Sequence, residues 1–353
     1  MQLVKPSIKH LDVTSDPLKA IEAAGRTCYK SEDKITDDSA ERFVKMLLDR
    51  RHHAMIEHGN FILSVDGILY EEILKVEDRQ FIRMSCDVGG NGCLVSGNPR
   101  ALRDFCLRPD VSSRIQRSLA VELSKHTPLL FDDTIRYTDH LSQFDITDFG
   151  VVELFENIDS LSISEKLKHQ VASYRVVSNR GFTHEQVRHR PFSYAQESTR
   201  FCNYKGGVSF IIPAWITLSE GKISLGNEST PASPFLLEGE EIHQGIITNL
   251  WIRTMYTAQQ AYTKLVKHHN QKPQQARGVL PIDLKTEIVV TGNLQQWMIF
   301  FKLRCTPARA PKEDLIDGIW YHATAPHPQM QEVANMVLAD MKTRVPVIFD
   351  DMG

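Results

Sequence analysis

The chain has 353 residues, long enough for one large domain or two modest ones around a sizeable core. Its 42% hydrophobic and 24% charged content is that of a globular protein and excludes a disordered or fibrous one. A net charge of -3 gives the surface as a whole no bias toward nucleic acids or membranes, so any anion site must be a local concentration of arginine. No apolar run approaches the roughly 18 residues of a membrane helix. The opening MQLVKPSIKHLD has no leader-like apolar stretch, so the cytoplasm is the expected compartment.

In chain order, residues 15–31 and 37–52 read as helices, the second with Phe43, Met46 and Leu47 on one face. A His-rich turn then feeds a short strand from Phe61 to Val65. Residues 68–165 change texture, with charged helix-like segments, a Gly89–Gly92 loop and acidic loops around 139–160. This stretch reads as a largely helical insertion into a simpler core. Residues 168–178 alternate as a strand. Thr183 and Gln186 have capping-box spacing for a short helix, which Pro191 prevents from continuing past Arg190. A strand at Val208–Pro213 precedes a long helix over 239–269, stopped by Pro273. Its apolar stripe is Ile247, Leu250, Trp251, Thr254, Met255, Ala258, Tyr262 and Leu265. Residues 279–290 alternate as a strand, and Asn293 with Gln296 opens a further helix, LQQWMIFFKLR. A last helix spans roughly 327–342. Strands and long helices without regular βαβ alternation make an α+β fold, a mixed sheet flanked by long helices in a single domain.

Four constellations carry chemistry. The run RHRPFSYAQESTRF places Arg188, Arg190 and Arg200 among hydroxyls and amides, and each guanidinium offers a planar fork of donors suited to phosphate. Arg304 follows Trp297 and Phe301 at helical spacing, with no acidic residue between Thr291 and Ala310. It therefore needs a ligand or a distant carboxylate. Arg277 stands just before a strand. His52, His53, Glu57 and His58 lack a metal-binding helix pattern, so a structural or cofactor-positioning role is expected and no metal. The six cysteines form no C-x-x-C pair and are expected to be free thiols. None follows a proline.

Arg188-His189-Arg190, seven residues and then Ser198 resembles the signature of the flavin-dependent thymidylate synthases. Further blocks resemble that family in order: AGRTCY (24–29), H-x4-EH (52–58), THEQVRHR (183–190), QARGVLP (275–281), T-x-N (291–293), F-x-x-LR (300–304) and HPQ (327–329). Residues 68–165 and about 306–325 then look like insertions. The resemblance implies reductive methylation of dUMP to dTMP, with FAD bound, methylenetetrahydrofolate as one-carbon donor and NADPH as reductant. It implies FAD contacts from Ala54, Arg188, His189, Arg190, Pro191, Gln196, Asn293, Leu294, Gln295 and His327. It assigns dUMP to Glu185, Gln186, Val187, Arg188, Gln196, Glu197, Ser198, Thr199, Arg200, Arg277 and Arg304. Arg304 would favour loss of the uracil N3 proton, and Ser198 would serve as a binding hydroxyl at the reacting centre. The family's active sites are shared within a homotetramer, and neither nucleic acid nor membrane is expected as a partner. Two alternatives stand beside this reading: a related flavin-dependent methylase or hydroxymethylase of another pyrimidine nucleotide, and a non-catalytic nucleotide- or RNA-binding homologue.

Overall fold

The computed structural model describes residues 1–13, 16–87, 92–139, 150–226, 234–242, 245–305, 313–316, 319–322 and 326–352. The fold is α+β, and its centre is an antiparallel four-stranded sheet in the order Ser7–Leu11, Val171–Asn179, Lys285–Asn293, Ser193–Gln196. The strand Lys285–Asn293 is buried along nearly its whole length, and its alternate residues serve two different layers. Ile288 and Val290 join Tyr174, Trp297, Phe300, Phe301 and Met330 in a core beneath the helices Leu294–Arg304 and Pro328–Arg344. Val289 meets Ala24 of the helix Pro17–Tyr29 and Ala195 on the opposite face. A second sheet runs Glu240–Glu241, Phe235–Leu237, Gly221–Leu225, Gln2–Val4, Ser209–Ile211, the last pair parallel. The helix Ile246–Lys267 covers it through Trp251, Ile252, Met255 and Tyr262.

The stretch 68–165 is mixed rather than largely helical. Arg83–Asp87, Gly92–Gly97, Phe61–Val65 and Val152–Leu154 pair side by side into a third antiparallel sheet. Helices Gly67–Leu74, Pro99–Cys106, Ser113–His126 and Pro128–Asp139 pack on it. Ile21, Phe43, Val44 and Leu47 from the two N-terminal helices lie in the same hydrophobic cluster, so this region shares a core with what precedes it. The new strands are short and sit next to glycines, and they gain order by pairing with Phe61–Val65, a partner the local pattern does not show. Within 306–325, Glu313–Ile316 and Ile319–His322 pair as antiparallel strands.

Other boundaries shift for local reasons. The helix after Val171–Asn179 starts at Arg180, with Asn179 as its N-cap, so Thr183 is an interior residue. Asn179 Oδ1 accepts from the Phe182 N–H at 2.8 Å, and the Thr183 hydroxyl donates back to the Arg180 carbonyl at 3.0 Å. Residues 279–284 turn before the strand, which begins at Lys285, and the long helix begins at Ile246 rather than 239. The Asn293–Gln296 capping box is present with both of its bonds. Cys86 and Cys93, expected to be free, form a disulfide. They stand directly opposite on adjacent antiparallel strands with Cα atoms 4.0 Å apart. Cys28, Cys106, Cys202 and Cys305 are free. No helix among the described residues is long and apolar enough to cross a membrane.

Candidate active site

Two clusters collect most of the motif residues. The first lies where the helix Arg180–Gln186 and the following turn meet the end of Leu294–Arg304. Arg304 Nε donates to His189 Nε2 at 3.0 Å, and its Nη1 lies 3.9 Å from Glu185 Oε2. The partners of Arg304 are thus a distant carboxylate and an imidazole more than a hundred residues away in sequence. Burial, reinforced by the Arg304 charge, holds the His189 pKa down at about 4. His189 is therefore neutral at pH 7. Because Nε2 accepts, the ring proton sits on Nδ1. The ring also packs edge-on against Phe300, with centroids 5.1 Å apart. A neutral, aromatic-braced histidine engages only the Nε–H of Arg304, which leaves most of the guanidinium fork for another acceptor.

The second cluster follows the strand Ser193–Gln196. Arg277 Nη1 donates to Thr199 Oγ1 at 2.9 Å, and Ser198 Oγ accepts from the Arg200 N–H at 3.3 Å. Arg200 and Arg277 are exposed, as are Arg188 and Arg190 at the other cluster. The Ser198 N–H donates to the Cys28 carbonyl at 3.1 Å, so the end of the helix Pro17–Tyr29 fixes the backbone here.

Several motif side chains are committed to the fold instead. Glu197 is 1% exposed and belongs to a buried charge network. There Lys285 lies 3.3 Å from Glu197 Oε2 and Tyr204 donates to Oε1 at 2.6 Å. Glu287, in the same network, is paired with Lys30, Lys285 and Arg175. Gln186 is buried against Tyr194, whose hydroxyl donates to the Gln186 carbonyl at 2.6 Å. Gln196 Nε2 donates to Thr183 Oγ1 at 2.9 Å and to Thr286 Oγ1 at 3.3 Å. Leu294 is buried in the core, and Asn293 spends its side chain on the Gln296 N–H and the Lys168 carbonyl. His327 caps its own helix through Nδ1. Ala54 and Val187 are exposed, and Gln295 is half-buried.

The His52–His58 run does not converge. His52 meets the Tyr29 hydroxyl, Glu57 pairs with Arg100 at 2.7 Å and His58 meets Thr291 Oγ1 at 2.8 Å. His58 is fully buried, and burial lowers its pKa to about 4. The free thiols are poor nucleophiles, because burial pushes Cys106 and Cys305 up to about 12 and Cys202 to about 11.

A small cleft lies between the central sheet and the third sheet. Pro191, Asn293, Thr291 and Lys168 line one side, and Phe81, Arg83 and Asn98 the other. Of these, the sequence motifs reach Pro191, Asn293 and Thr291. The opposite wall depends on a strand pairing that no local pattern announces.

The family model for thymidylate synthase complementing protein matches residues 9–70 and 131–347, most of the chain. The chain belongs to this family. Among curated relatives, the flavin-dependent thymidylate synthase of Mycobacteroides abscessus is 31% identical over 145 residues, 40% of this chain and 52% of that protein. The enzyme of the same name from Corynebacterium efficiens is 28% identical over 173 residues, 49% of this chain and 58% of that protein. The chain thus spans about half the length of the curated relatives it matches. Among solved structures, the UMP/dUMP methylase PolB from Streptomyces cacaoi, bound with 5-Br dUMP, aligns over 99% of this chain and 96% of its own, at 16% identity and TM-score 0.41. Thymidylate synthase X from Helicobacter pylori, solved with FAD and dUMP, aligns over 53% of this chain and 75% of its own, at 17% identity and TM-score 0.35. Within the family alignment, residues 71–130 are unmatched, and they supply Phe81, Arg83 and Asn98 to the cleft.

Proposed function

We propose that the chain is a flavin-dependent thymidylate synthase that methylates dUMP to dTMP, with methylenetetrahydrofolate and NADPH as co-substrates. The observation that carries this reading is the junction of Arg304 with Glu185 and His189 inside the Arg-His-Arg motif. Bound FAD supplies the transfer of electrons and of the one-carbon unit. The protein's groups bind, orient and polarise. Arg188, Arg190 and Pro191 hold the flavin nucleotide, with Asn293 and Gln295 close by in the chain. Exposed arginines suit an anionic dinucleotide.

Arg200 and Arg277 bind the dUMP phosphate, with Ser198 and Thr199 adding hydroxyl donors. Ser198 acts as a binding hydroxyl, not a nucleophile. Arg304 faces the uracil and stabilises the anion left when N3 loses its proton, which raises electron density at C5. His189 is a positioning residue: it takes the Nε–H and aims the remaining donors. Gln186, Gln196 and Glu197, tied up in the fold, shape the pocket around these groups. Gln196 in particular answers two threonine hydroxyls, so it supplies no ground for a different base.

The purified protein reconstituted with FAD should bleach its flavin absorbance under NADPH. A protein that takes up no flavin contradicts the reading.

Exposed apolar residues favour sites completed by a second copy of the chain. Ile246, Ile247 and Leu250 at the start of the long helix are 87%, 70% and 66% exposed, although the apolar stripe as read from sequence puts Ile247 and Leu250 on the core face. Trp251, Met255 and Tyr262 of that stripe are buried and Leu265 packs on the same core, while Ile247 and Leu250 suit a subunit contact. Leu250→Asp combined with Ile247→Asp should turn a homotetramer into smaller species by light scattering. An unchanged mass would place the contact elsewhere.

A further inference from the structure

Residues 71–130, unmatched in the family alignment, contribute the strand pair Arg83–Asp87 and Gly92–Gly97, which forms one wall of the cleft beside Pro191 and Asn293. Arg83 stands opposite Ser96 in that pair. Cys86 stands opposite Cys93 three residues further on, about 10 Å along the strands. Among the described residues, Arg83–Asp87 is an edge strand of the third sheet, laddered to Gly92–Gly97 alone. His169 and the disulfide pin it further. His169 Nε2 meets Ser85 Oγ and its Nδ1 meets Ser96 Oγ, each at 2.7 Å. Burial, then the charge of Lys168, keeps its pKa at about 4, so the neutral ring donates through one nitrogen and accepts through the other.

The two sulfurs of Cys86–Cys93 differ in access. Cys86 is exposed, whereas Cys93 is 8% exposed. A disulfide that solvent-borne thiols can reach is of the labile, regulatory kind. The wall it closes is also coupled to the motif residues through the segment 168–170. Asn293 Nδ2 donates to the Lys168 carbonyl at 3.0 Å, the Leu294 N–H to the Gln170 carbonyl at 3.1 Å, and Asn60 Nδ2 to the His169 carbonyl at 3.1 Å. Asn293 in turn caps the helix that ends in Arg304. His169 thus grips the strand pair with its ring, while its neighbours hold the start of that helix.

We propose that Cys86–Cys93 is a thiol–disulfide switch that sets the order of this cleft wall. A thiolate of an external dithiol attacks the exposed Cys86 Sγ. The Cys86–Cys93 bond breaks, and Cys93 leaves as a thiolate that takes up a proton. The second thiol of the reagent then displaces Cys86 from the mixed disulfide. Two electrons pass to the protein, which ends with two thiols, and the dithiol ends as a disulfide; an external disulfide reverses the step. With the bond open, the edge strand keeps only its ladder and its hold on His169. Local opening there becomes more frequent, and the wall that carries Phe81 and Arg83 loses its fixed place. That the cleft so governed takes the flavin rests on the function proposed above.

The test uses the full chain, air-oxidised or treated with dithiothreitol, and the double variant Cys86→Ser/Cys93→Ser. Alkylation with mass mapping should show Cys86 and Cys93 opening in dithiothreitol without denaturant, while the buried Cys106, Cys202 and Cys305 stay unlabelled. Hydrogen exchange over 83–87 should then quicken at least tenfold, and FAD, titrated by fluorescence quenching, should bind at least threefold more weakly. The double variant should match the reduced protein in both and ignore dithiothreitol, which separates the switch from the free Cys28. If it fails to fold, the reduced wild type carries the same measurements. A wall that quickens in a protein taking up no flavin in either state would sustain the switch while removing the thymidylate synthase reading. A pair that stays as thiols in oxidising buffer, or a bond that opens only when the chain unfolds, would overturn the proposal. So would a reduced protein whose strand exchanges as slowly, or which binds FAD as tightly, as the oxidised one.

Discussion

Arg304→Ala is expected to lower kcat for dTMP formation by about a hundredfold to a thousandfold, the effect of removing one preorganised donor from a developing oxyanion. Flavin content should stay near that of the wild type, since Arg304 is assigned to the uracil and not to the cofactor. Arg304→Lys should recover little. An ammonium on a flexible stem cannot keep an Nε–H bond to His189 and a planar fork toward the substrate at once. His189→Phe keeps the packing on Phe300 but removes the acceptor, so it should lower kcat more than it raises KM for dUMP. Steady-state kinetics on the three variants, with flavin stoichiometry measured alongside, decides the matter. Full activity in Arg304→Ala would remove Arg304 from the reacting centre.

The second large effect is on stability. Glu287 is 3% exposed and paired with Lys30, Lys285 and Arg175; burial alone would raise its carboxyl, but the hydrogen bonds and charges of Lys285 and Lys30 outweigh it and hold the pKa at about 2 against an ordinary 4.5. Glu287→Gln strands those cations, and breaking a buried pair from one side costs about 3–5 kcal/mol. Urea unfolding at pH 7 should show a loss of that size. A loss below about 1 kcal/mol would mean that solvent already screens the network.

The sign with pH follows from the lowered value. Stability from Glu287 is complete above about 4.5 and is lost as pH falls toward 2. His58 and His169 act earlier. Burial lowers both from 6.5 to about 4, so the unfolded chain gains protons first and stability declines as pH drops from 6.5 toward 4. Each contributes on the order of 2–3 kcal/mol to that decline. Melting temperature should therefore fall in two stages below pH 6.5, and Glu287→Gln should lack the second.

What the sequence disclosed follows the range of the interactions. The helix Leu294–Arg304 and its Asn293–Gln296 cap are visible because the capping bonds span three residues. The strand Phe61–Val65 is visible in its own apolar run. Thr183 looked like a cap because it too has a partner three residues on, but Asn179 ends the preceding strand and captures the Phe182 N–H first. The sequence signal for the Cys86–Cys93 bond is two cysteines flanking a glycine-rich stretch. It becomes evident only once both strands pair in register.

The same limit applies to the site. Motif spacing found Arg304 and His189 separately, and packing alone shows them bonded. Glu197 and Gln186 sit inside the motif but are buried, because a conspicuous sequence block includes residues that hold the loop as well as those that face the ligand. Arg83 and Phe81 carry no local signal at all, since their placement depends on the hairpin joining the sheet of Phe61–Val65.

The central claim is settled most directly by product analysis. The protein is incubated with dUMP, methylenetetrahydrofolate and NADPH, with and without added FAD, and the nucleotides are separated. Formation of dTMP that requires bound FAD, and that Arg304→Ala abolishes, is the predicted result. Protein that binds FAD yet leaves dUMP unchanged, or that forms dTMP equally well without any flavin, would contradict it.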